Sequence, residues 1–273
     1  MLISAGEIIT TSFKLYKNNW QRMISYVVLL FLLSMAQVLL TFYFLPIDEF
    51  DLIKFFFNLS SVIQGGAESV NITYFLKITL FQIVFLVLNT LVTVPLLRDL
   101  ADIYREKKLP KISEQFRHSL LLLLPGIGVS LLTGLITALG FLFLLVPGII
   151  FSIWFAFSFH KVILDEVNII ESIKDSKNLV SGRWWGVFWR LLAPSLAFGL
   201  LAYVVQRLLG VGLNFATESQ LLFISLQNLI SVLFVPLSVI ATIILFIELK
   251  RNLVKNKKPH PHPEQQNDNL AAS

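Results

Sequence analysis

Cysteine is missing from all 273 residues. Its absence excludes disulfides, thiolate metal sites and cysteine nucleophiles, and leaves the compartment open. Charge is also scarce, at 14% Asp, Glu, Lys and Arg, where soluble domains average about 25%. The scarcity is concentrated in runs. No charged residue of these four types occurs in 23–47, 78–97, 118–160 or 191–206, and 208–247 holds only Glu218. A soluble bundle needs a polar face on its helices, and these runs are apolar all round. Enzyme signatures are lacking too: there is no phosphate-cradling glycine loop and no Gly-x-Ser-x-Gly elbow. His118 and His160 have no partner at zinc-ligand spacing, and His260 and His262 form only a short tract in a proline-rich tail. No catalytic residue, metal ligand or cofactor is therefore expected, and the chain reads as a non-enzyme.

What the sequence does hold is apolar length. Hydrophobic residues make up 56%, with 24 phenylalanines. About 20 helical residues cross a bilayer core of roughly 30 Å. The 43 residues from His118 to His160 make about 65 Å of helix at 1.5 Å per residue, enough for two crossings with a turn at Val146-Pro147-Gly148. The expected fold is all-α and polytopic, with six transmembrane helices at about 21–45, 75–98, 126–146, 148–165, 186–208 and 221–248. Of the 22 Lys and Arg residues, only Lys54, Lys77 and Arg207 fall on the side of the first, third and fifth connections. By the positive-inside rule both termini are cytoplasmic. The first span is too long for a signal peptide. The formal charge of +5 follows from this bias, and no nucleic-acid partner is expected.

Three cytoplasmic segments share a frame. Glu7 and Ser12, Glu114 and Ser119, and Glu171 and Ser176 are each five apart, and Trp20 and Trp184 each fall 13 after the Glu, with Ile127 in the middle copy. Ile9, Phe13, Tyr16 and Trp20 form an amphipathic stripe, as do Phe116, Leu120, Leu123 and Ile127; in the third copy Lys177 interrupts Ile173, Val180 and Trp184. The unit reads as an in-plane helix followed by two crossings, repeated over roughly 3–98, 110–165 and 168–250 within a membrane domain of 1–254. A further interfacial helix is expected around Leu52, Phe55, Phe56, Leu59 and Ile63, and 255–273 reads as a disordered tail.

Candidate residues fall into three groups. Gly126, Ser130, Gly134 and Ala138, and separately Gly148, Ser152 and Ala156, recur every fourth residue and predict a tight hairpin about Pro147. His160 and Lys161 are ionisable groups near a span end, a default functional candidate. Gln82, Asn89, Gln206, Gln227 and Asn228 are polar groups within or near spans, read as interhelical hydrogen bonders or, alternatively, as a transport path. Arg207 and Glu248 read as anchors, Pro236 as a kink, and Asp99, Asp102 and Glu106 as a solvated mixed-charge loop.

Val146-Pro147-Gly148-Ile149-Ile150, Trp154, Asp165-Glu166, Ser176, Leu179-Val180, Gly182 and Trp184-Trp185, with Ala5-Gly6-Glu7-Ile8-Ile9 upstream, resemble the YciC family of bacterial inner-membrane proteins. They also resemble the membrane domain fused to some glycerophosphodiester phosphodiesterases. The resemblance implies a bacterial cytoplasmic membrane and adds Glu166, Ser176 and Trp184 to the candidates. The phosphodiesterase barrel has no counterpart here. The expected function is lipid interaction or envelope homeostasis, with membrane lipids as partners and self-association or other membrane proteins also open. The alternative is a small transporter or lipid translocase with a polar cavity.

Overall fold

Helix starts are set by side chains that satisfy free backbone N–H groups. In the computed structural model, which describes residues 2–44, 72–214 and 220–257, Ser4 Oγ accepts the Glu7 N–H at 3.2 Å and opens α1, Ala5–Asn18. Asn168 Oδ1 likewise accepts the Glu171 N–H at 2.9 Å and opens α7, Ile169–Val180. Both are N-caps with Glu at the third helical position. The remaining helices are α2 Trp20–Phe44, α3 Ile72–Tyr104, α4 Ile112–Phe143, α5 Leu145–Trp154, α6 Ser158–Asp165, α8 Trp184–Asn214 and α9 Gln220–Lys257. No strand occurs among the described residues.

Six helical stretches are long and apolar enough to cross a membrane: Trp20–Thr41, Leu76–Tyr104, Ile112–Phe143, Leu145–Asp165, Trp184–Gly210 and Leu222–Val254. The architecture is that of a multi-pass membrane protein. Large apolar side chains such as Leu121, Leu124, Phe143 and Leu208 are 70–80% exposed, a surface that water would not tolerate at this extent.

Two boundaries differ from expectation. The second of the three expected in-plane segments is no separate helix: α4 runs unbroken from Ile112 to Phe143. Its N-cap position is Lys111, which makes no side-chain capping bond. Where α1 ends at Asn18–Asn19 and α7 at Ser181–Gly182, with Gly182 at φ 77°, this segment has no such terminator, and a started helix propagates cheaply. The hairpin turns at extended Leu144 (φ −164°, ψ 150°), three residues before Pro147. Pro147 then lies in the first turn of α5, where its missing N–H leaves no gap.

The last helix is the hub. Ile240, Ala241, Ile243, Ile244, Leu245, Phe246, Ile247 and Leu249 are all buried, and α9 packs against α1, α2, α3 and α8. Helices α4 to α7 form a second group joined to it mainly through α3, with direct contacts of α6 and α7 to α9. The core concentrates at the end of the bundle that carries α1 and α7. The interfacial helix expected within 46–71, the connection at 215–219 and the tail from 258 to 273 lie outside the described residues; α9 continues to Lys257, past the expected start of the tail.

Candidate functional site

The polar side chains of the bundle gather at the end bearing α1 and α7. Asp99, on α3, is fully buried. Its carboxylate accepts from Arg22 Nε at 2.7 Å, Arg22 Nη2 at 2.9 Å and the Tyr26 hydroxyl at 2.6 Å. Arg22 also donates to the Pro110 carbonyl at 2.7 Å. This two-pronged guanidinium–carboxylate pair is the strong form of charge-assisted bonding, and it ties α2, α3 and the entry to α4. The reading of Asp99 as part of a solvated loop is thus corrected. Arg22 opens the apolar run of α2 and Asp99 closes that of α3. Antiparallel neighbours set these two ends at one depth, which was the available signal.

A second network joins α6, α7 and α9. Lys161 Nζ lies 3.0 Å from Asp175 and 3.2 Å from Asp165, and Lys250 Nζ lies 2.6 Å from the other Asp165 oxygen. The central pair is almost enclosed, at 12% and 11% exposure. Glu166 ends α6 in the left-handed region at φ 55° and pairs with Arg98 at 3.1 Å. Tyr104 and Arg251 both donate to Glu248, at 3.1 and 2.6 Å. Glu248 therefore joins α3 to α9 rather than serving only as a span-end anchor.

Ser176 sits where the fourth span breaks. Between α5 and α6 the backbone opens over Phe155–Phe157. Ser176 Oγ accepts the Phe157 N–H at 3.1 Å and donates to the Trp154 carbonyl at 2.7 Å. Lys177, beside it, lies 4.6 Å above the Trp154 ring. One hydroxyl from α7 therefore satisfies both backbone groups freed by the break, as buried backbone requires.

His160 is buried among Phe157 and Phe246, with Nε2 3.1 Å from Thr242 Oγ1 and Nδ1 unpartnered among the described residues. Asn89 donates to its own helix at Phe85 O, 2.8 Å. Gln82 meets Gln37 at 3.5 Å, Gln206 meets Ser231 at 2.8 Å, and Asn228 meets the Met35 sulfur at 3.5 Å. Along α9, Asn228 and the Thr242 partner of His160 are 14 residues apart, about 21 Å. The polar residues required for a transport chamber do not share one depth. Trp184 stacks on Phe188 (5.3 Å, 11°), meets Trp185 edge-on at 4.8 Å, and keeps its buried indole nitrogen without a partner among the described residues.

The small-residue ridge holds in part. Gly126 packs against Phe159 and Ile163 of α6 and Thr90 of α3. Ser130 is half-buried, and its hydroxyl donates within its own helix to Gly126 O at 2.9 Å. Gly134 and Ala138 face outward, with nothing within 4 Å of an added methyl at Gly134. Steps of four residues turn 400°, so the ridge drifts about 120° from Gly126 to Ala138. Gly140, two heptads from Gly126, returns to the contact: a methyl there would come 2.7 Å from Phe151 and 3.1 Å from the Gly148 Cα. Gly148 meets the Phe141 ring, while Ser152 and Ala156 are half-buried beside it.

Compared with known proteins, the chain matches no family model, no curated protein and no solved structure. Its own geometry carries the functional reading.

Proposed function

We propose that the chain is a non-enzymatic scaffold of a bacterial cytoplasmic membrane, acting in lipid interaction or envelope homeostasis, with both termini cytoplasmic. The observation that carries this is the two-sided build of α1 and α7. Each pins a serine-bearing face to the bundle, with Ile8 and Ser12 on α1 and Ser172 and Ser176 on α7 buried. Each turns an apolar group outward: Phe13 of α1 is 40% and Ile170 of α7 56% exposed, and Trp20, where α1 hands over to α2, is 54% exposed. Outward apolar groups beside Lys14, Lys17, Lys174 and Lys177 suit a headgroup interface. Gln115 and Ser119, in the same frame on α4, are buried as well, and we read the three segments as copies of one unit. The resemblance to the YciC family favours the same placement. A non-catalytic role is favoured by the carboxylates Asp99, Asp165, Glu166 and Glu248, each held in an ion pair.

A photoactivatable side chain at position 13 or 170 of the full-length chain in cells tests this. Adducts with phospholipid are expected; adducts with protein alone would remove the reading. Reporter fusions after residues 60 and 110 should report opposite compartments. Reconstituted protein should leave labelled phospholipid in its own leaflet, whereas transbilayer movement would favour a translocase.

A further inference from the structure

Between α1, α2 and α9 runs a groove of about 310 Å³ lined by Tyr16, Lys17, Trp20, Ile24, Val27 and Leu233. Its two ends differ in chemistry. Lys17 and Trp20 lie where α1 hands over to α2. Ile24 follows one turn along α2 and Val27 about 10 Å from Trp20, with Leu233 of α9 as the opposite wall. The walls of the groove are almost wholly apolar, and the residues that carry donors, Tyr16, Lys17 and Trp20, all lie at one end of it, an arrangement that matches the polarity of a phospholipid.

The donors are unengaged. Arg22 is held by Asp99, but Lys17 makes no ion pair, and the Trp20 indole and Tyr16 hydroxyl make no hydrogen bond, among the described residues. Burial pushes the Tyr16 hydroxyl above its ordinary value, so it stays protonated and able to donate. An ammonium without a carboxylate favours a net negative headgroup over a zwitterionic one. A larger groove of about 570 Å³ between α4, α6 and α7 has the opposite charge, with Glu166 among Leu122, Leu124, Pro125 and Ile169. Its carboxylate is already paired with Arg98, so that groove offers an anionic ligand no free cation.

We infer that the α1–α2–α9 groove seats one anionic phospholipid, its phosphate at Lys17 and Trp20 and one acyl chain along Ile24, Val27 and Leu233. The inference deepens the proposed lipid role by naming the lipid class and its seat, and it can fail alone: position 13 could crosslink to phospholipid while no class is retained.

Native mass spectrometry of the full-length chain in mild detergent, titrated with phosphatidylglycerol or phosphatidylcholine, tests it. One phosphatidylglycerol should be retained, with at least tenfold preference over phosphatidylcholine. Lys17→Glu should reduce retention at least tenfold and Lys17→Arg should preserve it. Ile24→Trp, at a 44% exposed position, should fill the groove and abolish retention; if that variant elutes as aggregate, the Lys17 pair decides. Trp189→Ala, at a 58% exposed aromatic on α8, should change nothing. Equal retention of both lipids, or full retention in Lys17→Glu, overturns the inference. So does competition by soluble glycerol phosphate, which would locate a headgroup site without the acyl groove.

Discussion

Asp99 is the position where a single atom-scale change should separate this fold from a loosely packed bundle of apolar helices. Its carboxylate accepts three hydrogen bonds at 2.6–2.9 Å and has no exposure, while Arg22 keeps 20%. Hydrogen bonds to charged groups contribute roughly 1.5–3 kcal/mol each, and breaking a buried pair costs about 3–5 kcal/mol because the surviving charge is stranded. The two ends of the pair differ in how far they are stranded. In Asp99→Asn the guanidinium retains Pro110 O and partial solvent, so a loss of about 3 kcal/mol is expected, at the lower end of that range. In Arg22→Met the carboxylate keeps only the Tyr26 hydroxyl, and the loss should approach about 5 kcal/mol. Tyr26→Phe removes one bond and should cost about 1.5–3 kcal/mol. At 2–4 °C per kcal/mol for a chain of this size, Asp99→Asn should melt roughly 6–12 °C lower. Thermal unfolding in detergent, monitored by size exclusion, reads all four proteins. The double variant Arg22→Met with Asp99→Leu should recover much of the loss, since no charge is then buried alone. Additive losses in the double variant, or an Asp99→Asn protein that melts like the wild type, would refute the reasoning.

Ser176→Ala should leave the Phe157 N–H and Trp154 carbonyl unpaired and cost about 2–4 kcal/mol, read as earlier proteolysis or melting; Ser12→Ala, where the hydroxyl bonds only back to Ile8 O, should cost less than half of that. Gly140→Ala and Gly148→Ala should each lower the melting point by several degrees, because an added methyl meets Phe151 and Gly148 or the Phe141 ring, whereas Gly134→Ala should be neutral or slightly stabilising. Because the chain has no cysteine, spin-label pairs need no background removal: a pair at 108 and 181 should give a narrower distance distribution than a pair at 142 and 208, and equal widths would contradict the uneven packing.

The spans were legible because lipid leaves so few options: a segment with no ionised side chain must carry its backbone hydrogen bonds internally, and an apolar helix does so. The ends were less legible. Pro147 marks a helix start as readily as a stop, so the turn at Leu144 fell outside the Val146-Pro147-Gly148 signal. The spaced Glu and Ser pairs could be seen but not explained. The structure gives each a reason: Glu7 and Glu171 occupy the third position after a capping side chain, and Ser12 and Ser176 lie on the face turned to the bundle. In the middle segment no terminator follows Ser119, and the boundary between in-plane helix and span is lost. Asp99 was misread for another reason. Local sequence shows Asp102, Arg105, Glu106, Lys107 and Lys108 around it, and only the long-range partner Arg22 reveals that one carboxylate points the other way.

Charge is also distributed by depth, and this bears on how such a bundle could work. The described ion pairs, Arg22–Asp99, Arg98–Glu166, Lys161–Asp165–Asp175, Lys250–Asp165 and Arg251–Glu248, all lie at the end carrying α1 and α7. Toward the other end, the interhelical contacts among the described residues include the neutral Gln37–Gln82, Gln206–Ser231 and Asn228–Met35. An ion pair in a low-dielectric setting fixes distance and orientation more sharply than an amide contact at 3.5 Å, whose energy is close to that of its alternatives in lipid. The charged end therefore acts as a clamp that sets where α1 and α7 sit. The neutral end can adjust to the acyl chains around it. Under the scaffold role proposed above, this asymmetry would let α1 and α7 hold still while the spans accommodate the lipid they meet.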